Sequence, residues 1–172
     1  MHRTYIAFGS NQRDPLAQLL RARKTLALHP DLHEIAASHL YRTPPFGIES
    51  QPDFLNAVCA YDTTLSPRCL LAAINAVEAA HDRVRAEKNG PRTLDLDILL
   101  YDDRVIREAR VMIPHPGLAE RAFVLVPLAD IAADVAVPGH DRVSALLARV
   151  DAHGVIREES TQWEHLTTKR LA

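Results

Sequence analysis

Two aspartates separated by a single residue, Asp95 and Asp97, have the type and spacing of metal ligands. Apolar residues alternate along the segment Leu94 to Leu100, which predicts a strand. Side chains on a strand point to opposite faces in turn, so both carboxylates are expected on one face, with Cα atoms about 7 Å apart. Two like charges there are costly beside an apolar sheet, and hard, oxygen-liganded Mg²⁺ would relieve their repulsion. The pair therefore predicts a magnesium site; solvation at a strand edge, or pairing with nearby arginines, is the alternative.

A basic loop directly precedes the two aspartates. Its cations are Arg83, Arg85, Lys88 and Arg92, and Gly90 gives it a compliant point. The chain contains neither Gly-x-x-x-x-Gly-Lys-Ser/Thr nor Gly-x-Gly-x-x-Gly, so arginine forks and metal, rather than a glycine-rich helix N-terminus, would hold a phosphate group. An acidic pair beside a basic loop indicates a metal-bound polyphosphate, with a loop that closes over it when the phosphate arrives.

A second pair of residues, Phe54 and Asn56, indicates a pocket for a planar substrate. The two share one face of a strand predicted over 54–63. An aromatic ring offers a surface for stacking, and a carboxamide offers one acceptor and two donors to the edge of a heterocycle. Phe46, in the loop that begins at Thr43-Pro44-Pro45, would border the same pocket. The alternative is that Phe54 belongs to the core and Asn56 bonds a neighbouring strand.

The elements that must position these groups alternate along the chain. Strands are predicted over 4–8, 34–42, 54–63 and 94–100, with a short one at 105–106. Helices are predicted to begin at Asp14-Pro15 and Ser66-Pro67, because a capping side chain followed by proline is typical of a first turn, and a last helix is predicted over 143–150. The apolar run 123–128 fits either helix or strand. The order strand, helix, strand, strand, helix, strand is typical of a ferredoxin-like α+β fold, in which helices pack in layers on an antiparallel sheet.

Composition limits the classes of protein to which this chain can belong. Its 172 residues, 47% of them hydrophobic, suffice for one domain, which we expect over 1–155, followed by a polar, mobile C-terminal tail over 156–172. A net charge of −2 and an aromatic content of 5% argue against nucleic-acid binding. No apolar run predicts a signal peptide or a membrane span. Cys59 and Cys69 form neither a disulfide framework nor a metal motif, so a reduced, cytoplasmic protein is expected.

Three classes of function remain open on these residues alone. The acidic pair suits a phosphoryl-transfer enzyme, but it equally suits a metal-dependent phosphohydrolase or nuclease in which water replaces the acceptor. A non-enzymatic nucleic-acid module on a ferredoxin-like sheet is the third class. Cleavage of a polyphosphate that depends strictly on an acceptor would separate the first class from the second.

Several blocks of sequence, occurring in one order, resemble the 6-hydroxymethyl-7,8-dihydropterin pyrophosphokinase family of folate biosynthesis. The resemblance covers roughly residues 4–138, and its most specific block contains both aspartates. The blocks are Tyr5-Ile6-Ala7-Phe8-Gly9-Ser10-Asn11, Tyr41-Arg42-Thr43-Pro44-Pro45-Phe46-Gly47, Gln51-Pro52-Asp53-Phe54-Leu55-Asn56, Arg83-Val84-Arg85, Gly90-Pro91-Arg92-Thr93-Leu94-Asp95-Leu96-Asp97, Pro114-His115-Pro116 and Arg121-Ala122-Phe123.

The resemblance implies an enzyme that moves the β,γ-diphosphoryl unit of ATP onto the hydroxymethyl group of the pterin and releases AMP. It implies that Asp95 and Asp97 hold two Mg²⁺ ions and act in catalysis together with Arg83 and Arg92. The implied ATP contacts are Arg83, Arg85, Arg92, Ile98, Arg110, His115 and Arg121. The implied pterin contacts are Thr43, Pro44, Phe46, Phe54, Asn56 and Phe123, with the rings of Phe54 and Phe123 stacking on either side. Glu78 also stands at a family-typical position, without an assigned role. We expect a monomer whose partners are these small molecules, with no nucleic acid and no membrane.

Overall fold

The computed structural model describes residues 1–45, 47, 50–81, 91 and 93–166. Its elements, in chain order, are β1 (His2–Ser10), α1 (Pro15–Ala27), β2 (Leu32–Ala37), β3 (Leu40–Thr43), β4 (Phe54–Thr63), α2 (Pro67–Ala80), β5 (Asp95–Tyr101), β6 (Ile106–Arg107), β7 (Met112–Ile113), a 3₁₀ turn (Leu118–Glu120), α3 (Ala122–Ala132), α4 (Val143–Leu147), β8 (Ile156–Glu158) and α5 (Thr161–Glu164).

The central sheet is antiparallel, and its strands lie in the order β5-β1-β4-β3-β8. β2 pairs with the later residues of β4, whereas β3 pairs with its first residues. Helices α1 and α2 each connect two strands of this sheet, so the ferredoxin-like α+β fold predicted from the sequence is confirmed. One end of the sheet collects the last residues of β1 and the first residues of β4 and β5, because β1 runs antiparallel to both neighbours.

The sheet separates two hydrophobic cores. On one face, Ile6 and Phe8 of β1 pack with α1 and α2; on the other, Tyr5 of β1, Val58 of β4 and Leu99 of β5 pack with α3 and α4. Successive residues of β1 and β4 contribute to opposite cores, as the period of a strand requires. In β5 the alternation shifts at Leu99 and Leu100, which both face the core beside α3, at an irregularity in the pairing with β1. The result is a three-layer arrangement, helices–sheet–helices.

Local signals set the starts of the first two helices where the sequence predicts them. Asp14 Oδ1 accepts a hydrogen bond from Ala17 N (3.2 Å) at the start of α1, and Ser66 Oγ accepts one from Cys69 N (3.3 Å) at the start of α2. Proline follows each cap at the first helical position. The undecided run 123–128 is helical, as part of α3. Its periodicity does not reveal this, because α3 is largely apolar and sits against both β4 and α4.

Three predicted elements are corrected by the structure. The single strand predicted over 34–42 is wrong: the chain forms β2 and β3, which are interrupted at Ser38. There, Ser38 Oγ accepts a hydrogen bond from Val58 N (2.9 Å) and donates one to His39 O (2.7 Å). The serine hydroxyl therefore replaces a backbone carbonyl as the acceptor for the β4 amide. The last predicted helix ends early, at Leu147 instead of residue 150. The short strand at 105–106 lies one residue later, at Ile106–Arg107, where it pairs with β7.

The prediction of a mobile tail after Gly154 is wrong for residues 156–166. β8 pairs with β3, and Trp163 of α5 is only 1% exposed, within the core formed by α1 and α2. The sequence signal was a single tryptophan in an otherwise polar segment, whose apolar partners lie far away along the chain. Residues 167–172 lie outside the described residues. In the described part of the chain, no helix has both the length and the apolar character needed to cross a membrane.

Candidate active site

Gly9 of β1 lies in the middle of the sheet end where β1 finishes and β4 and β5 begin, which is called the site end below. It lies opposite Asn56 of β4 on one side and opposite Asp95 of β5 on the other. A Cβ atom at Gly9 would lie 3.0 Å from Asn56 Oδ1 and 3.9 Å from Asp95 Cβ. The missing side chain therefore leaves room for a carboxamide and a carboxylate on the same face of the sheet, directed toward the α3 side.

Asp95 and Asp97 share that face, as the strand period predicts. The intervening Leu96 is buried in the opposite core, and the carboxylate of Asp97 is 40% exposed. Leu96 N donates a hydrogen bond to Glu78 Oε1 (2.8 Å), and Glu78 on α2 is itself 3% exposed. A buried glutamate thus holds the backbone between the two aspartates. This role of Glu78 is not visible in the sequence, because the contact depends on how α2 packs against β5.

His115 lies beside the aspartate pair. Its Nε2 is 3.8 Å from Asp97 Oδ2, and its backbone N–H donates to Leu99 O (3.0 Å), which ties the turn to β5. Gly117 N donates to His115 Nδ1 (3.1 Å), so the neutral ring carries its hydrogen on Nε2. Burial lowers the pKa of His115, the charge of Arg121 lowers it further, and Asp95 opposes both effects. A neutral imidazole therefore presents an N–H donor toward the acidic pair.

Arg121 stands at the N-terminus of α3, between the turn of His115 and the ring of Phe123. A Cβ at Gly117 would lie 2.5 Å from Arg121 Nε, so the guanidinium packs directly against the glycine backbone. The Cζ of Arg121 lies 5.8 Å from the centre of the Phe123 ring. One helix start thus supplies both a cation for phosphate and an aromatic ring for a planar substrate.

The candidate substrate pocket lies across β3 and β4. Asn56 Nδ2 donates to Thr43 Oγ1 (2.7 Å), and Thr43 lies opposite Phe54 in the register of these strands. The hydroxyl of Tyr41 donates to the Asp130 carboxylate of α3, 2.8 Å and 2.9 Å from its two oxygens. This bond joins β3 to the helix that carries Phe123. The predicted stacking residues lie on β4 and α3, which pack together, and a part-buried polar link ties α3 to the neighbouring strand β3.

Ser10 and Asn11, at the end of β1, connect the loops at the site end of the sheet. Ser10 Oγ donates to Thr93 O (2.6 Å), just before β5. Asn11 Nδ2 donates to Gln51 Oε1 and to Pro52 O, both at 3.0 Å, at the end of the loop that precedes β4. No local pattern reveals these partners, because they lie 83 residues from Ser10 and 40 and 41 residues from Asn11.

A cavity of about 500 Å³ lies between α2 and the β6–β7 segment. Leu71, Ala72 and Val111 form apolar walls, while Asn75 and Arg110 add polar groups. An ion pair between Arg68 and Glu108 (2.7 Å) joins the two elements that border it. Apolar walls with a few polar groups suit a flat heterocyclic ligand. Arg110 was predicted as an ATP contact, whereas the other lining residues were not anticipated.

The structure gathers several predicted residues at the site end of the sheet and separates others. Gathered there are Thr43, Pro44, Phe54, Asn56, Asp95, Asp97, His115, Arg121 and Phe123. The side chain of Ile98 faces the opposite core, and Arg110 lines the cavity. Phe46, Arg83, Arg85 and Arg92 lie outside the described residues.

The acidic pair is suited to magnesium that is shared with phosphate. Across the described ranges, no group of three or more His, Cys, Asp or Glu side chains forms a complete metal cage. Mg²⁺ is usually bound by one or two carboxylates together with substrate phosphates and waters, rather than by an all-protein cage. Two carboxylates on one face, one of them substantially exposed, fit that pattern.

The fold and the arrangement of the site are typical of an enzyme that binds a polyphosphate next to a planar acceptor. The family model of 7,8-dihydro-6-hydroxymethylpterin-pyrophosphokinase matches residues 5–133. The 2-amino-4-hydroxy-6-hydroxymethyldihydropteridine pyrophosphokinase of Methylorubrum extorquens is 44% identical over 159 residues, 92% of this chain and 100% of that protein. The enzyme of the same name from Haemophilus influenzae is 40% identical over 153 residues, 89% of this chain and 96% of that protein.

Solved structures agree on the fold. Wild-type HPPK-DHPS of Plasmodium falciparum with pteroate superposes with a TM-score of 0.70 at 14% identity, over 86% of this chain and 42% of that one.

The chain described here belongs to the 7,8-dihydro-6-hydroxymethylpterin-pyrophosphokinase family. It is a transferase of folate biosynthesis that moves a pyrophosphoryl group from ATP to 6-hydroxymethyl-7,8-dihydropterin, leaving AMP. The phosphohydrolase and nucleic-acid alternatives are therefore set aside.

Proposed function

We propose that Asp95 and Asp97 hold two Mg²⁺ ions that carry the phosphates of ATP at this end of the sheet. The observation that supports this most directly is that both carboxylates share one face of β5, next to the side-chain gap at Gly9. Glu78 holds the strand backbone between them, so their spacing is set in advance. When bound, the metal ions would neutralise phosphate charge and increase the acidity of the pterin hydroxyl.

The chain's own side chains then orient the phosphates. His115 offers an N–H donor from Nε2, and Arg121 offers a planar guanidinium from the start of α3. By family resemblance, Arg83, Arg85 and Arg92 add further cations, and Arg83 and Arg92 act on the transferring group. In such a reaction the protein supplies placement and charge compensation, and the nucleophile is the substrate's own hydroxyl group.

The purine base of ATP occupies the cavity between α2 and the β6–β7 segment in this proposal. Its volume of about 500 Å³ and its apolar walls at Leu71 and Val111 suit a flat base, and Arg110 lies at its edge. Ile98 contributes through the backbone of β5, because its side chain is buried in the core next to α2. The base and the metal-bound phosphates would therefore lie on two sides of β5 and the turn that follows it.

The pterin occupies the pocket formed by β3, β4 and the start of α3. Asn56 uses one amide hydrogen for Thr43, and its Oδ1 lies over Gly9, where it can accept an N–H of a pterin edge. Phe54 and Phe123 supply the stacking faces, and Pro44 borders the ring. By family resemblance, Phe46 is a further pterin contact. Placing Asn56 and Asp95 on either side of Gly9 would bring the pterin hydroxymethyl group toward the metal-bound phosphates.

The decisive experiment is an AMP-formation assay with the variant Asp97→Asn and the matched control Asp103→Asn. Asp103 is an exposed carboxylate in the turn after β5, at the far end of the same strand. Asp97→Asn keeps the shape of the side chain but removes its charge, so kcat should fall about 10²- to 10³-fold and the Mg²⁺ requirement should rise. The control should match wild type.

Two results would contradict the proposed site. Near-normal turnover and Mg²⁺ dependence in Asp97→Asn would remove the metal role from this aspartate. Equally tight binding of a non-hydrolysable ATP analogue with and without Mg²⁺ would remove the metal ions from nucleotide binding. Calorimetry with a non-hydrolysable ATP analogue, with and without Mg²⁺, separates loss of binding from loss of chemistry.

We further propose that the protein acts as a monomer in the cytoplasm. Large exposed apolar side chains such as Leu28, Val105 and Ile156 are scattered over separate elements of the described chain, which does not favour a large self-association face. The substrates are a nucleotide and a small pterin, which are available in that compartment. Sedimentation analysis at increasing protein concentration tests the oligomeric state: a concentration-dependent rise in mass would contradict the monomer.

A further inference from the structure

The C-terminal clamp, defined here as residues 154–166, contacts a wall of the proposed pterin pocket. It lies beyond the residues 5–133 that the family model matches. We infer that this clamp is a positioning element of the enzyme, which sets the place of Pro44 and Thr43 relative to the bound pterin. The inference depends on the proposed pterin pocket, and it concerns how an element outside the pocket controls substrate affinity.

The clamp is anchored in the core at Trp163. The indole Nε1 donates to Ser38 O (2.8 Å), and the ring meets Phe8 edge-on with centroids 6.1 Å apart. The guanidinium of Arg23 lies 4.5 Å from the ring centre and donates to Trp163 O (2.7 Å). Arg23 is in turn paired with Glu34 (2.6 Å), and both side chains are 5% exposed. The indole N–H, the Arg23 guanidinium and the Glu34 carboxylate thus form one connected, largely buried polar network.

From this anchor the clamp runs back along the edge of β3. β8 pairs with β3 in the register Leu40 to Glu158 and Arg42 to Ile156. An ion pair between Arg42 and Glu158 (2.7 Å) adds a side-chain link at the same place. β3 ends at Thr43, whose hydroxyl accepts the hydrogen bond from Asn56. The strand that carries the pocket residue Thr43 is therefore held between β4 on one side and the clamp on the other.

The clamp touches the pocket wall directly at Gly154. A Cβ at this position would lie 3.1 Å from Pro44 Cγ and 3.2 Å from Pro44 Cδ, closer than a side chain tolerates without movement of a neighbour. Gly154 lies inside a turn in which Val155 N donates to Ala152 O (3.0 Å), directly before β8. Because the turn leads into a paired strand, added bulk at Gly154 is expected to move the proline.

These contacts form one continuous path from the core to the pocket. Trp163 holds α5 in place, β8 holds β3, and Gly154 rests on Pro44. None of the described residues that line the cavity between α2 and β6–β7 belongs to the clamp, and β5, which carries the aspartate pair, lies at the opposite edge of the sheet from β8. A small disturbance of the clamp should therefore weaken the pterin and leave ATP unaffected. This selective effect separates positioning from a general contribution to stability.

The experiment is a double-mutant cycle in the full-length chain on Gly154→Ala and Pro44→Ala, with His153→Ala as the control in the same turn. His153 is exposed, and only its backbone N–H makes a bond here, to Asp151. Gly154→Ala should raise the KM for the pterin about three- to tenfold, because a displacement of a few tenths of an ångström at a binding wall has this order of effect. The KM for MgATP and the midpoint of thermal unfolding should match wild type, as should all values for His153→Ala.

In the Pro44→Ala background, the added methyl group no longer meets the ring atoms Cγ and Cδ. Adding Gly154→Ala should therefore cause little further change in the KM for the pterin, so the two substitutions are strongly non-additive. The positioning role of the clamp would be contradicted by any of three results. These are a rise in both KM values together, an unchanged pterin KM in Gly154→Ala, and full additivity of the two substitutions. A wrong assignment of the pterin pocket would give a different result. In that case Pro44→Ala alone would leave the KM for the pterin unchanged, although the wild-type enzyme is active.

Discussion

Replacement of Trp163 by alanine is the sharpest test of how the C-terminal segment is held. Trp163 is 1% exposed, and truncation of a buried aromatic to alanine costs about 3–5 kcal/mol of unfolding free energy. The same truncation removes the indole N–H that donates to Ser38 O at 2.8 Å. It also removes the ring whose centre lies 4.5 Å from Arg23 Cζ. Each of these losses contributes about 1–2 kcal/mol to such a total.

A loss of about 4 kcal/mol is large compared with the 5–15 kcal/mol by which a domain is usually stable. For a chain of this size, each kcal/mol shifts the melting midpoint by about 2–4 °C, so Trp163→Ala should melt about 8–16 °C below wild type. Trp163→Phe keeps an aromatic ring but removes the N–H donor, and it should lose only about 1–2 kcal/mol, largely at the Ser38 carbonyl.

The assay is reversible urea unfolding and calorimetric melting of wild type, Trp163→Ala, Trp163→Phe and Gln162→Ala. Gln162 is the exposed neighbour of the tryptophan, so its truncation should change stability by less than about 0.5 kcal/mol. A melting midpoint of Trp163→Ala close to that of Gln162→Ala would refute the reasoning, because it would mean that the tryptophan makes no net contribution to the core. A fall as large in Trp163→Phe as in Trp163→Ala would assign the effect to the hydrogen bond alone.

Three further predictions follow from the site and its surroundings. Gly9→Ala places a methyl group 3.0 Å from Asn56 Oδ1, so the KM for the pterin should rise about three- to tenfold in steady-state assays while the KM for MgATP changes little; equal rises would contradict this. Glu78→Ala removes the acceptor of the strand amide between the aspartates, so the Mg²⁺ concentration for half-maximal activity should rise about tenfold, whereas Glu78→Gln, which keeps a carbonyl acceptor, should stay near wild type. Burial raises the pKa of Tyr41 and Tyr61, so the folded state retains protons that the unfolded state releases above pH 10; the free energy of unfolding should then fall as pH rises past 10, and phenolate absorbance of folded and urea-unfolded protein checks this.

Local rules predicted the elements that carry the site. The strand over 54–63 has the same bounds in the structure as in the prediction. It is a short, nearly continuous apolar run that is buried on both faces, as is typical of a central strand. The starts of α1 and α2 follow from a cap and a proline that need only neighbouring residues. The shared face of Asp95 and Asp97 likewise follows from the period of one strand, without knowledge of what packs beside it.

What the sequence alone determined about this protein is therefore a set of local features: the strand over 54–63, the starts of α1 and α2, the acidic pair and the motifs of its family. Only the tertiary structure decided which distant residues complete them. It buried Glu78 against the backbone of Leu96, formed the cavity beside Arg110, and brought Trp163 to Arg23 across 140 residues of chain. The physical reason is that these contacts join residues far apart in sequence, and their free energy depends on packing that no local pattern encodes.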